Sequence, residues 1–174
     1  MAASAHDQFR LGFLTAVEDA DRGVVGGLLI TNRFGRPLEF QCTTPVKPNR
    51  TQQILFGPHL RPYVLTELIG KTLIEKVGVK PDLVLTESPD LLTLRDHISV
   101  PVASVSDAIK KHADDETLPL GQQRLKFHDG HDADRKTIAQ QASQIPDTAD
   151  LKEPFERVRE ALAETIKAQA ARPA

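Results

Sequence analysis

The sequence predicts a mixed α/β fold: a three-stranded antiparallel meander followed by β-α-β units, forming a mixed sheet with flanking helices. Two observations carry that prediction. The first 44 residues hold three apolar, β-branched runs parted by turn-forming clusters, whereas beyond residue 62 helical spacing alternates with short apolar runs. A composition of 40% hydrophobic and 26% charged residues over 174 positions is that of one ordinary globular domain. The expected organisation is therefore a single α/β domain over 1–174, with an acidic linker at 113–120 and a mostly helical segment at 121–174.

Each element has its own signal. Residues 9–17 read as a strand that ends in the acidic turn 18–23, whose residues favour reversal. Residues 24–31 read as a second strand, in which the adjacent Gly26 and Gly27 call for close backbone approach or a bulge. After the turn 32–35, residues 37–44 alternate with period two as a half-buried strand does. Prolines 45, 48, 58 and 62 break regular structure, leaving room for a helical turn or two at 51–56. A long helix then follows, with Tyr63, Leu65, Leu68, Ile69, Leu73 and Val77 at three- and four-residue spacing and Gly78 as its C-terminal cap.

The second half reads as βαβ alternation. Residues 82–87 are a buried strand between prolines, 90–97 a short helix and 100–105 another apolar strand. Residues 123–128 are expected as an edge strand. Helices are expected at 132–142, with Asp132 or Asp134 as N-cap, and at 151–168, where Leu151, Phe155, Val158, Leu162 and Ile166 form one stripe for packing on a sheet.

Several classes are disfavoured. The single Cys42 allows no intramolecular disulfide, and its alternating surroundings make it a structural thiol. The first residues lack the plan of a signal peptide, and no apolar run approaches the roughly 18 residues of a membrane helix, so a cytoplasmic protein without membrane contact is expected. Val25-Gly-Gly-Leu lacks the spacing of a dinucleotide fingerprint, and no serine sits in a nucleophile elbow.

The formal net charge of -2 conceals an asymmetry. Between residues 33 and 66 stand Arg33, Arg36, Lys47, Arg50 and Arg61 against Glu39 alone. Phe34, Phe56, His59 and Tyr63 are interleaved with them. Guanidinium forks suit phosphate, aromatic faces suit a stacked base, and prolines lower the ordering cost of a binding loop. The leading expectation is thus a non-catalytic module whose basic, proline-rich loop binds an anionic partner, nucleic acid or a phosphorylated ligand, through Arg33, Arg36, Lys47, Arg50, Arg61 and Tyr63. No cofactor is expected on that reading.

A second set of residues is acidic: Glu18 or Asp19 after the first strand, Glu67 in the first long helix, Glu87 closing the strand 82–87, and Asp134 in the segment 128–134. This order of elements and acids resembles the ribonuclease H-like fold. The resemblance implies two divalent metals, Mg or Mn, held by carboxylates for phosphodiester cleavage, with Glu18, Glu67, Glu87 and Asp134 as the catalytic set. Segment 128–134 resembles that family's histidine-bearing loop. Leu14, Thr15 and Ala16 stand where the family's first-strand aspartate would be, and Glu87 stands in place of an aspartate.

His128, His131 and Asp132 form a separate metal candidate, because imidazole and carboxylate suit zinc, manganese or iron. The third functional alternative is a protein-interaction or assembly module, docking through the meander's edge or the C-terminal amphipathic helix.

Overall fold

In the computed structural model, which describes residues 9–107 and 116–172, the meander is formed by Leu11–Asp19 (β1), Gly23–Thr31 (β2) and Pro37–Cys42 (β3). Each pairs antiparallel with the next. Leu83–Thr86 (β4) adds parallel to β1, and Val102–Asp107 (β5) parallel to β4. Gln123–Phe127 (β7) returns antiparallel on β5, and Thr117–Leu120 (β6) closes the outside of it. The seven-stranded order is β3-β2-β1-β4-β5-β7-β6. This is a ribonuclease H-like mixed sheet with flanking helices, as the order of elements implied.

Strand alternation sorts the core into two layers. Leu11, Phe13, Val25 and Leu29 face one side, where Glu153–Ala170 (α5) lays down Phe155, Val158 and Leu162. Phe13 meets Phe155 edge to face with ring centroids 5.3 Å apart. Leu14, Leu28 and Ile30 face the other side, against Val64, Leu65, Ile69 and Leu73. Gly26 and Gly27 mark close approach on the two faces rather than a bulge. A Cβ on Gly26 would stand 2.1 Å from Ile69 Cγ2, and one on Gly27 2.9 Å from Val158 Cγ1. The register irregularity falls instead between Ile30 and Thr31.

The proline-broken stretch is helical where a loop was expected. Asn49 caps Arg50–Phe56 (α1) by accepting from Gln52 N, while the Gln52 side chain accepts from Asn49 N, a reciprocal capping box. Pro58 sits in the first turn of a 3₁₀ segment, Gly57–His59, where a missing N–H costs no helical bond. The chain continues without a break through Leu60–Tyr63 (α2), a π-helical stretch Val64–Lys71, and Thr72–Lys76 (α3). The helix ends because Val77 turns extended, at ψ 136°, and not on a Gly78 cap.

Other boundaries move. Glu18 and Asp19 lie within β1, and Asp19 Oδ1 accepts from Asp21 N and Arg22 N to close the turn. Pro89–Asp96 is a 3₁₀ segment. Within the stretch expected as a linker, Thr117–Leu120 is β6, while residues 113–115 lie outside the described residues. β7 is consequently the second strand from that side of the sheet, not its edge. Asp132–Gln141 (α4) is capped at His131, without a side-chain cap bond, rather than at Asp132 or Asp134.

Candidate functional site

The meander's turns fall at alternate ends of the sheet, and this divides the predicted cations. The β1–β2 turn, the C-terminal end of β1 and the run α1–α2 share one end. There Lys47 Nζ donates to the Asp21 carbonyl at 3.1 Å, Arg50 reaches Gln53 Oε1 at 3.5 Å, and Arg61 pairs with Glu18 and, at 3.4 Å, with Asp90. Those two carboxylates raise the Arg61 pKa, the hydrogen bond to Glu18 foremost. Glu18, Val24, Pro48, Leu60 and Arg61 line a cavity of about 190 Å³ beside them.

Phe56 and Tyr63 stack here with ring centroids 4.4 Å apart and planes 20° from parallel. α1 buries none of its residues, so Ile54 and Leu55 stand 65% and 77% exposed. Arg33 and Arg36, by contrast, occupy the β2–β3 turn. The nine residues of β2 set that turn roughly 27 Å from the other cations. Arg33 lies over the exposed Phe34 ring, 4.7 Å from its centroid.

The acids are each held by a different partner. Arg61 on α2 takes Glu18, and Arg159 on α5 takes Glu87. Arg95, in the 3₁₀ segment, holds Asp134 at 2.7 Å, while Glu67 lies 3.9 Å from His97 Nε2. The pair of divalent cations implied by the ribonuclease H resemblance needs several carboxylates facing one point. In this structure the acids in those positions are distributed over four separate side-chain pairings and form no common ligand cluster among the described residues.

One ligand cluster does form among the described residues, from Asp96, His128 and His131, whose ligating atoms lie within 4.8 Å of one another. His131 Nε2 is 3.0 Å from Asp96 Oδ1, and His128 Nε2 3.4 Å from Oδ2. The hydrogen bond from His131, then the fields of His128, His131 and His97, hold the Asp96 carboxyl below its ordinary range. His128 Nδ1 accepts from Gly130 N at 2.9 Å, which leaves the ring proton on Nε2, directed at Asp96. Asp132, which the spacing placed with the histidines, lines a neighbouring cavity of about 490 Å³ with Lys126, His128, Arg135 and Lys136. Asp96 was missed because it lies 32 and 35 positions before its partners; an acid ending a short helical segment carries no signal of its own.

No family model matches this chain, and no curated protein does. Solved structures resemble it at low identity. Endonuclease V of Ciona intestinalis, in complex with a 23mer DNA containing an inosine followed by a ribo-adenosine, superposes with a TM-score of 0.50 at 9% identity, covering 94% of this chain and 89% of its own. Human endonuclease V matches at 13% identity and a TM-score of 0.45 over 91% and 86% of the two chains. Marinitoga piezophila Argonaute, in complex with a guide RNA, matches at 14% and 0.37 over 80% and 26%.

Proposed function

We propose that this protein binds nucleic acid on a ribonuclease H-like scaffold, with the run from Lys47 to Tyr63 as the contact surface. The carrying observation is the combination at one sheet end of Lys47, Arg50, His59 and Arg61 with a stacked Phe56–Tyr63 pair and the exposed Ile54 and Leu55. Cations meet phosphates, and apolar and aromatic side chains meet unstacked bases. The place is also the customary one, since open α/β sheets bind ligands beyond the carboxyl ends of their parallel strands. The fold likeness to an endonuclease V that holds inosine-containing DNA supports nucleic acid over other phosphorylated ligands.

Fluorescence anisotropy with labelled 23mers tests this, using inosine-containing DNA, unmodified DNA and RNA of matched sequence. Binding should weaken as salt rises, and Arg50→Ala with Arg61→Ala should lower affinity at least about tenfold. Undetectable binding at low ionic strength, or a double variant that binds as the parent does, refutes the reading.

A second reading, divalent-metal-dependent phosphodiester cleavage by Glu18, Glu67, Glu87 and Asp134, draws support from the same fold likeness. It requires Arg61, Arg159 and Arg95 to release their carboxylates. Incubating the same probes with Mg²⁺ or Mn²⁺ decides it: strand scission lost in Glu87→Gln supports cleavage, and intact probes oppose it.

A further inference from the structure

The geometry points to a transition-metal site formed by Asp96, His128 and His131, which ties the end of the 3₁₀ segment Pro89–Asp96 to the entrance of α4. The site shares no residue with the nucleic-acid surface: His128 follows the end of β7, where Phe127 pairs with Ala103 at the start of β5, whereas Arg61 and Glu18 stand at the C-terminal end of β1, and Asp96 lies at the far end of its segment from Asp90, the partner of Arg61. Two imidazoles converge on one carboxylate, each through Nε2: His131 on Oδ1 at 3.0 Å and His128 on Oδ2 at 3.4 Å. Zinc bonds to nitrogen and oxygen of about 2.0–2.1 Å at a tetrahedral angle set neighbouring ligand atoms about 3.3 Å apart. The two nitrogen–oxygen separations bracket that value and the three ligating atoms lie within 4.8 Å of one another, so an ion can replace the protons between rings and carboxylate once these atoms draw in around it.

The donor chemistry selects the ion. Two imidazoles and a carboxylate suit zinc, cobalt, nickel, manganese or ferrous iron, whereas magnesium and calcium prefer oxygen alone. Three protein ligands leave a fourth position for water or an anion, on the side where Asp96 is half exposed. The histidines are better shielded, at 19% and 28% exposure, and therefore hold their orientation while the ion enters past the carboxylate. The i,i+3 spacing of His128 and His131 across the turn bonded from His131 N to the His128 carbonyl at 3.0 Å keeps both rings on one side.

A further consequence concerns Gly130. Its N–H donates to His128 Nδ1. Coordination through Nε2 moves the ring proton to Nδ1, which then repels that N–H, so the Gly130 amide must find a new partner. Metal binding thus carries a local signature that a merely structural ion pair would not produce.

The test uses the full chain without a histidine tag, stripped with a chelator and titrated with ZnCl₂ by calorimetry, with Co²⁺ absorption as a parallel readout. One equivalent of zinc should bind, Mg²⁺ should not saturate at the same concentrations, and the Gly130 amide resonance should be among those shifted most. Asp96→Asn and His131→Ala should each weaken zinc at least about tenfold, while Asp132→Asn should stay within about threefold. Absence of a saturable equivalent, binding unchanged in Asp96→Asn and His131→Ala, or an equal loss in Asp132→Asn overturns the assignment. If His131→Ala fails to fold, Asp96→Asn and the Gly130 resonance of the parent chain decide alone, and a resonance unmoved by zinc counts against the site.

Discussion

Arg95 Nε donates to Asp134 Oδ2 at 2.7 Å and Nη2 to Oδ1 at 3.4 Å, so that one guanidinium fork joins the 3₁₀ segment before β5 to α4. Its third nitrogen donates to the Ile98 carbonyl at 2.7 Å. The side chains are 18% and 11% exposed, dry enough that removing one partner strands the other charge. Arg95→Ala should cost about 2–3 kcal/mol in urea unfolding. Arg95→Met combined with Asp134→Leu should lose less than Arg95→Ala alone, because no uncompensated charge is left behind. A double variant as unstable as the single one would show that packing, not charge, sets the loss.

What was legible in the sequence followed from local periodicity. β1–β3 and the stripe of α5 were readable because period two and the three- or four-residue spacing are each written in adjacent residues. The helical run from Arg50 was obscured because Pro48, Pro58 and Pro62 sit at or near first turns, where proline is tolerated, while their number suggested a loop. The division of the basic set was invisible in a charge count, since Arg33 and Arg61 are set apart by the direction of β2 and not by their spacing. Asp96 with His128, like Glu87 with Arg159, is a tertiary pairing that no local pattern encodes.

The two glycines of β2 give a quantitative check on the packing. Ala at Gly26 would place its Cβ 2.1 Å from Ile69 Cγ2, a side chain with no exposed surface in which to move. Gly26→Ala should therefore cost about 1–3 kcal/mol in thermal or urea unfolding. Ile69→Ala alone leaves a cavity and is also unstable, but the double variant should be less unstable than the sum of the two by at least about 1 kcal/mol. Additive losses would show that Gly26 does not pack on Ile69.

Glu39 gives a pH dependence with a fixed sign. Its carboxylate accepts from Gln41 Nε2 at 2.9 Å, Val79 N at 2.8 Å and Gly78 N at 3.2 Å, fastening β3 to the turn that follows α3. The Gln41 bond, followed by those from Val79 and Gly78, lowers its pKa below the ordinary 4.5. A folded pKa below the unfolded one contributes stability that is full above the unfolded value and is lost as pH falls through the folded one. Glu39→Gln should lower Tm at neutral pH and flatten the decline of Tm between about pH 5 and 3. Asp96 is shifted in the same direction, so Asp96→Asn should remove a separate part of the same decline. A Glu39→Gln curve parallel to that of the parent would exclude the carboxylate as its source.

Arg61 and Glu18 separate binding from stability. Both side chains are more than half exposed, so their pair is worth little to the fold, and Arg61→Ala should change unfolding free energy by less than about 1 kcal/mol. Its effect on nucleic-acid affinity should be larger, with the slope of log affinity against log salt falling by about 1, since one phosphate contact is lost. Glu18→Gln works in the opposite direction, because it frees a guanidinium that a carboxylate now partly neutralises, and binding should tighten. Under the cleavage reading the same Glu18→Gln change should abolish strand scission, which makes this one variant diagnostic of both. Arg33→Ala, at the far end of β2, should leave affinity unchanged, and a loss there equal to that of Arg61→Ala would move the interface to the β2–β3 turn.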